Sequence, residues 1–448
     1  MSIMLPLKDR MEDIDSYYDS VLPESAPLDP SAVAAVRSEW NPARGLQVRS
    51  EVRTVEMMKK SSNSGSPYFT KRRNVTDDTI PCSVSHHDTT VKQNLHSSLW
   101  NACAILGWRG QEGGYQKEDV KQRVVWMFPF AVNVAELSVY QPLIQQAQMY
   151  EIVPAWISND VVDQHITKLF DTKDKKDLVI CTDFSKFDQH FNPVMQQCAK
   201  SLLTNLLNNS STSSDWLDVT FPIKYQIPLA YDWGSIRSGA HGMGSGSGGT
   251  NCDETLSHKA LQHEVAILNG QKLNPHSLCL GDDGVLSYPG ISIDSIVKAY
   301  TSHGQDVNPS KQTESTDWCV YLRRWHHVDY RDHGIMVGVY PTMRALGRLM
   351  YQERYYEGWS SKMVALRQLS IIENVKWHPL REQFADFCML RDKYRLGLDI
   401  PGFLDNIESE AKQAMDEMPD FLGYTKSMQK EYDSASSGIK DWWIVKYL

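Results

Sequence analysis

Two adjacent carboxylates, Asp282 and Asp283, sit between apolar runs in Leu278-Cys279-Leu280-Gly281-Asp282-Asp283-Gly284-Val285-Leu286. Apolar residues flanking a short turn-forming stretch predict a β-hairpin with acid at its tip. A turn lets charge stand on a core-anchored element without full desolvation. Carboxylate oxygens placed there suit a hard divalent cation, which needs only one or two protein carboxylates when substrate phosphates complete its shell. A second acid occupies an equivalent place. Leu178-Val179-Ile180-Cys181-Thr182-Asp183 reads as a buried strand ending in a carboxylate, and Asp188 follows five residues later.

The elements that must position these acids are legible around them. After Asp188, Asn192 is a candidate N-cap with Pro193 at the first helical position, and Met195, Cys198, Leu202 and Leu206 recur at helical spacing. That helix is expected to stop in a loop at Asn208 to Ser214. The run Gly244-Ser245-Gly246-Ser247-Gly248-Gly249-Thr250-Asn251 allows close backbone approach and leads into a helix through Leu256, Ala260, Val265 and Leu268, closing at Asn269-Gly270. No Gly-Lys-Ser/Thr follows, so this is not a P-loop. A helix from about Asp294 to His303 comes next, then the turn Asn308-Pro309-Ser310-Lys311, then a second hairpin-like element with Val320-Tyr321-Leu322-Arg323-Arg324-Trp325 as one strand. From Pro341 the pattern is helical, through Leu346, Met350, Met363, Leu366, Leu369 and Ile372.

Lys121 and Arg123 alternate at the start of a strand and so share one of its faces, where two cations could clamp a triphosphate. Other local cation groups are Lys71-Arg72-Arg73, Lys117 and Arg323-Arg324, whereas acidic residues gather between Asp399 and Asp420. A net charge of −9 argues against a protein that coats nucleic acid with its outer surface, so a polyanion must meet an internal basic lining.

At 448 residues the chain can bury a large core divided among subdomains. No apolar run is long enough to span a membrane, and the polar, acidic opening to Asp19 is unlike a signal peptide, which points to the cytoplasm or a particle assembled there. The eight cysteines lack CxxC spacing, so neither a zinc site nor a disulfide framework is expected. His86-His87 and His326-His327 read as packed or solvent-exposed side chains and not as metal ligands, since neighbours on a strand face opposite ways. Residues 1–60 offer short helical patterns and no assignable chemistry, and Trp442-Trp443 near the C-terminus predict docking on the helical region or a reach into a cleft.

Set in chain order, these stretches resemble the motif series of viral RNA-dependent RNA polymerases from Ser62 to Arg324. Asp183-Phe184-Ser185-Lys186-Phe187-Asp188 resembles the family's first palm motif, Ser245-Gly246 to Thr250 its second, Gly281-Asp282-Asp283 its third, Asn308 to Lys311 its fourth and Tyr321 to Arg324 its fifth. Ser62 to Pro67 is similar to the template-entry motif, and Lys121 with Arg123 to the basic fingertip motif. Among subfamilies, these motifs together with Tyr340 to Leu346 and Tyr351 to Tyr355 most resemble picobirnavirus polymerases, with partitiviruses next.

The resemblance implies an α+β right-hand polymerase: fingers over 1–175 and 194–231, an antiparallel palm sheet over 176–193 and 232–330, and a helical thumb with C-terminal tail over 331–448. It implies copying of an RNA template from ribonucleoside triphosphates, for a double-stranded RNA virus, inside the virion and the host cytoplasm, with capsid protein as a partner and no membrane. Two Mg²⁺ ions, for which Mn²⁺ can substitute, would be held by Asp183, Asp282 and Asp283, with Lys311 protonating pyrophosphate. Lys121, Arg123, Asp188, Ser245, Gly246, Thr250 and Asn251 would bind the nucleotide, and Ser64, Gly65, Arg323 and Arg324 the RNA. The family's sugar-selecting asparagine is expected four residues after Thr250, where this chain has Glu254. A reverse transcriptase, or an inactive RNA-packaging protein with the same fold, remain the alternative classes.

Overall fold

A computed structural model describes residues 4–96, 98–111, 121–352, 358–417 and 438–448. Lys117 and Glu353 to Tyr355, used above, lie outside them. The strands in chain order are β1 (Ser83–His87), β2 (Thr90–Leu95), β3 (Ser98–Ala102), β4 (Ala104–Gln111), β5 (Lys121–Met127), β6 (Val179–Thr182), β7 (Leu229–Asp232), β8 (Ser235–Arg237), β9 (Leu278–Leu280), β10 (Asp283–Leu286), β11 (Thr313–Ser315), β12 (Trp318–Tyr321) and β13 (Arg324–His327). Met1–Met58, Asn63–Val153 and Lys168–Thr316 form one compact unit; Lys59–Ser62, Pro154–Thr167 and Asp317–Leu448 form another. The expected fingers and palm therefore share the first unit for most of their length. The long segment of the second unit begins at Asp317, ahead of the expected thumb boundary.

In the first unit a small antiparallel sheet, β1-β2-β3, accompanies a four-stranded sheet in the order β5-β4-β7-β8, in which β4 and β7 run parallel. The sheet that positions chemistry is β11-β6-β10-β9, antiparallel throughout. Its middle strands are short, apolar and shielded: Val179, Ile180, Val285 and Leu286 are all fully buried. The Pro193–Leu206 helix starts as expected, with the Asn192 side chain accepting from Met195 N–H at 3.2 Å, and Met195, Cys198, Leu202 and Leu206 are buried. The expected loop after it is partly a short helix, Ser211–Asp215, because the Ser210 hydroxyl caps the Ser213 N–H at 3.1 Å. A serine-rich run reads as loop, yet serine is also a preferred N-cap.

The N-terminal residues have a bracing role that their sequence did not reveal. The Met11–Asp19 helix places Asp13 on Lys186 at 2.8 Å, and Gly242 N–H donates to Tyr17 O at 2.8 Å. Arg10 Nη2 reaches Gly107 O at 2.7 Å.

In the second unit the expected hairpin is present, but its turn falls inside the stretch from Val320 to Trp325 that reads as one strand. β12 pairs with β13 around Leu322 and Arg323, whose φ values are +51° and +63°. Two-residue hairpin loops favour left-handed backbone, usually with Gly or Asn, so a Leu-Arg turn inside an apolar run carries no turn signal. Met363, Leu366, Leu369 and Ile372 enter a helical core that also takes in Phe403, Ile439 and Ile444. The C-terminal helix Trp443–Tyr447 docks on this core, with Ile444 N–H donating to Glu373 at 3.0 Å and both tryptophans packed alongside. Among the described residues no helix is long and apolar enough to cross a membrane, and all eight cysteines are unbridged.

Candidate active site

Antiparallel pairing brings the acids together. Thr182, the last residue of β6, stands opposite Gly284 of β10, so Asp183 leaves one strand where Asp282 and Asp283 enter its neighbour. Gln312 holds the Asp183 backbone from β11's side: its Oε1 accepts from Asp183 N–H at 2.8 Å and its Nε2 donates to Asp183 O at 2.8 Å. The same amide donates to Asn308 O at 2.9 Å, tying the fourth-motif turn to the first motif. Lys311 is solvent-exposed at the end of that turn, one residue from this clamp.

The acidic turn is built on glycine. Gly281 has φ +58°, the left-handed backbone wanted at the first position of a two-residue hairpin loop, and Asp283 pairs with Leu280. The Thr250–Leu268 helix grips it: Thr255 Oγ1 accepts from Gly281 N–H at 2.9 Å, and His258 Nδ1 donates to Gly281 O at 2.7 Å. Burial lowers the His258 pKa to about 4, so the ring is neutral and keeps one N–H for this contact. A Cβ on Gly284 would lie 2.6 Å from the His258 ring and 2.7 Å from Thr182 Oγ1, so only glycine fits. Sequence reading missed Thr255, His258 and Gln262, which donates to Leu278 O at 2.9 Å. Their i, i+3, i+7 spacing was a usable signal. The apolar stripe drawn through this helix was correct at Leu256, Ala260 and Val265, but Leu268 is exposed.

The charges converge on the turn. Asp282 keeps solvent-accessible surface, yet crowding by protein atoms raises its pKa first, then the negative charges of Asp188 and Asp183; Arg123 opposes them. Arg123 is exposed on β5. Glu254 is buried and its pKa is pushed far up, first by desolvation and then by the charge of Asp188, to which it is hydrogen-bonded. Burial and the neighbouring Asp188 charge thus both favour the protonated form of Glu254. Glu254 Oε2 and Asn251 Nδ2 each lie 3.4 Å from where a Gly281 Cβ would be, so the turn meets both side chains. The Asp283 charge is also felt at the Cys279 thiol, where it adds to the effect of burial.

The glycine-rich loop fastens these parts. Met243 N–H donates to Asp188 O at 2.7 Å, Ser245 Oγ to Val124 O at 3.3 Å, and Thr250 Oγ1 to Ser247 O at 3.3 Å. Gly246 packs directly on Trp126 O, leaving no room for a Cβ.

Three expected RNA contacts need correction. Ser64 and Gly65 are buried: Ser64 Oγ accepts from Thr70 N–H at 3.2 Å, and a Cβ on Gly65 would lie 2.5 Å from Phe128 O. Their polar groups hold a turn, leaving no side chain to offer a template. Arg324 is buried as a bidentate partner of Asp163, at 2.7 and 2.9 Å, with His326 Nε2 2.8 Å from the same carboxylate. Its Nη2 also donates to Gly338 O at 3.2 Å, and a buried guanidinium committed to these partners is poorly placed to meet a phosphate. Arg323 is exposed at the hairpin turn, Lys121 is described only in its backbone on β5, and Arg72 is not a surface cation but donates to Asn133 at 2.7 Å. Among the described residues no three His, Cys, Asp or Glu side chains form a ready metal shell. What the described residues offer is carboxylates at neighbouring strand ends.

Residues 9–382 match the family described as "Viral RNA-dependent RNA polymerase". The chain is 60% identical over its whole length to the "Potential RNA-dependent RNA polymerase" of Human picobirnavirus, covering 85% of that protein. It is also similar to the crystal structure of the RNA-dependent RNA polymerase of a human picobirnavirus, with a TM-score of 0.93 and 59% identity over 100% of this chain and 84% of that one. A sicinivirus RNA-dependent RNA polymerase shares the fold at a TM-score of 0.59 and 14% identity, with 84% of each chain covered. The α+β right-hand architecture and the picobirnavirus resemblance are thereby borne out, and the chain belongs to the viral RNA-dependent RNA polymerases.

Proposed function

We propose that the chain replicates and transcribes a double-stranded RNA genome by template-directed addition of ribonucleotides, working inside the virion and in the host cytoplasm with capsid protein as a partner. The observation that carries the catalytic part is the meeting of Asp183, Asp188 and Asp282 with Arg123 at one hairpin turn. In each step a 3′-hydroxyl oxygen bonds to the α-phosphorus, the bond to pyrophosphate breaks and the hydroxyl proton leaves. Protein groups mainly position and neutralise charge in such a transfer.

Asp183 and Asp282 would hold two Mg²⁺ ions, or Mn²⁺ in their place, with Asp283 a lesser contributor. Burial raises the Asp282 pKa first and the charges of Asp188 and Asp183 add to it, and a cation would oppose both. When bound, the ions neutralise the attacking and leaving oxygens. Arg123, with Lys121, holds the triphosphate, which its planar fork suits better than a lysine would. Exposed Lys311 protonates departing pyrophosphate, and exposed Arg323 contacts RNA. Labelled ribonucleotide incorporation on an RNA template tests the reading. It should require Mg²⁺ and stop with EDTA; incorporation of deoxynucleotides in preference, or none of either, would overturn it.

Asp188, together with Ser245, Gly246, Thr250 and Asn251, would contact the nucleotide sugar. A site built to hydrogen-bond a hydroxyl discriminates against an analogue lacking it. Asp188→Ala should lower the preference for a ribonucleotide over its 2′-deoxy analogue by at least about tenfold, roughly 1.4 kcal/mol of differential binding. An unchanged ratio in competing-substrate kinetics would remove Asp188 from the sugar site.

A further inference from the structure

The Phe130–Met149 helix carries a carboxylate that no motif includes. Glu136 is fully buried and both its oxygens serve the glycine-rich loop. The Ser247 hydroxyl donates to Oε2, and Gly248 N–H donates to Oε1 at 3.3 Å. Asn133, one turn earlier, donates to Glu136 Oε1 at 3.2 Å and to Gly246 O at 3.4 Å, while its own Oδ1 accepts from Arg72 Nη2 at 2.7 Å. One helix therefore holds three consecutive loop residues.

The other side of the loop rests on β5, where Ser245 donates to Val124 O and Gly246 abuts Trp126 O. Val124 is next to Arg123 in sequence, and the loop's far end delivers Asn251 and Glu254 to the acidic turn. Gly244, Gly246, Gly248 and Gly249 leave this segment without a conformational preference of its own, so its shape has to be imposed from outside. A buried carboxylate is a costly way to fill space, because stability alone is served as well by an apolar side chain. Its worth lies in accepting hydrogen bonds from one arrangement of the loop.

We propose that Glu136 is a positioning residue of the nucleotide site: through Ser247 and Gly248 it sets the loop so that Ser245 stays beside the Arg123 strand, and it acts on nucleotide binding, not on the chemical step. The inference rests on the reading of Arg123 and Ser245 as nucleotide contacts. Glu136→Gln keeps size and shape but turns one acceptor into a donor facing the donors of the loop.

In steady-state incorporation by the full chain, Glu136→Gln should raise the nucleotide KM at least about fivefold while kcat stays within about twofold, the pattern of lost binding without lost chemistry. Ser247→Ala should raise KM in the same direction, and the double variant should go no further. The melting temperature of Glu136→Gln should fall by no more than about 2 °C, on the order of a fraction of a kcal/mol. An unchanged KM, a loss confined to kcat, or strictly additive effects would overturn the proposal. If Glu136→Gln does not fold, Ser247→Ala decides alone, by whether KM rises. Arg123→Lys in the same assay separates the two readings. A KM that responds to it but not to Glu136→Gln removes only the Glu136 role; one insensitive to Arg123→Lys removes the triphosphate site and this proposal with it.

Discussion

Asp282→Ala is expected to lower Mg²⁺-dependent RNA synthesis by more than about a thousandfold, roughly 4 kcal/mol of barrier, with the protein still folded. The loss should be large because Asp282 is the residue on which the electrostatics converge: its pKa is raised by crowding and by Asp188 and Asp183, and Arg123 acts against them. The fold should survive because the turn is held through Gly281, by Thr255 and His258, and Asp282 itself keeps solvent-accessible surface. Asp283→Ala should cost less, since Asp283 already pairs with Leu280 inside the strand, whereas Asp282 stands at the turn itself. Incorporation rates and a thermal melt on the purified variants measure both effects. Near-normal synthesis by Asp282→Ala would end the assignment of this turn as the catalytic centre.

Asp253→Ala should be the most destabilising of the substitutions discussed, by about 3–5 kcal/mol, the usual cost of leaving a buried charge without its partner. Lys224 and Asp253 are both fully buried, 3.1 Å apart. Tyr140 and Tyr225 donate to the carboxylate at 2.7 and 2.6 Å, and desolvation followed by the charge of Asp253 keeps both phenols protonated. Without Asp253 the ammonium retains Phe221 O at 2.7 Å, the Phe221 ring face at 3.8 Å and the attraction of Glu136, but no carboxylate in direct hydrogen-bonded contact among the described residues. A fall in melting temperature on the order of 5–10 °C is expected, since about 1 kcal/mol moves a domain of this size by a few degrees. A shift below about 2 °C would mean that the ammonium loses its proton or reaches water at little cost. The network lies under the first turn of the Thr250–Leu268 helix, so the variant should also handle nucleotide less well.

Much of the site could be read from the chain because its chemistry is local. An apolar strand ending in Asp183, a turn carrying Asp282 after Gly281, and glycines leading into a helix each follow from neighbours within a few residues. Those signals survive folding because strand ends and tight turns are fixed by short-range backbone preference and burial. The order of the motifs then identified the family. Where the residues took part in contacts across the chain, sequence reading went astray. Arg324 and Arg72 looked like cations for RNA, yet Asp163 lies 161 residues before the first and Asn133 61 residues after the second. Ser64 looked like a template contact and serves a turn against Phe128.

By itself the sequence determined which residues could carry charge or hold a tight turn, and where strands and helices begin, since these depend on side-chain type and on spacings of two to four residues. Only the tertiary structure decided which carboxylates meet, that Glu254 is buried against Asp188 with its pKa pushed up, that Glu136 grips the glycine loop, and which arginines are already paired. The physical reason is that pKa, pairing and accessibility are set by desolvation and by partners brought close in space, and one-dimensional spacing records neither.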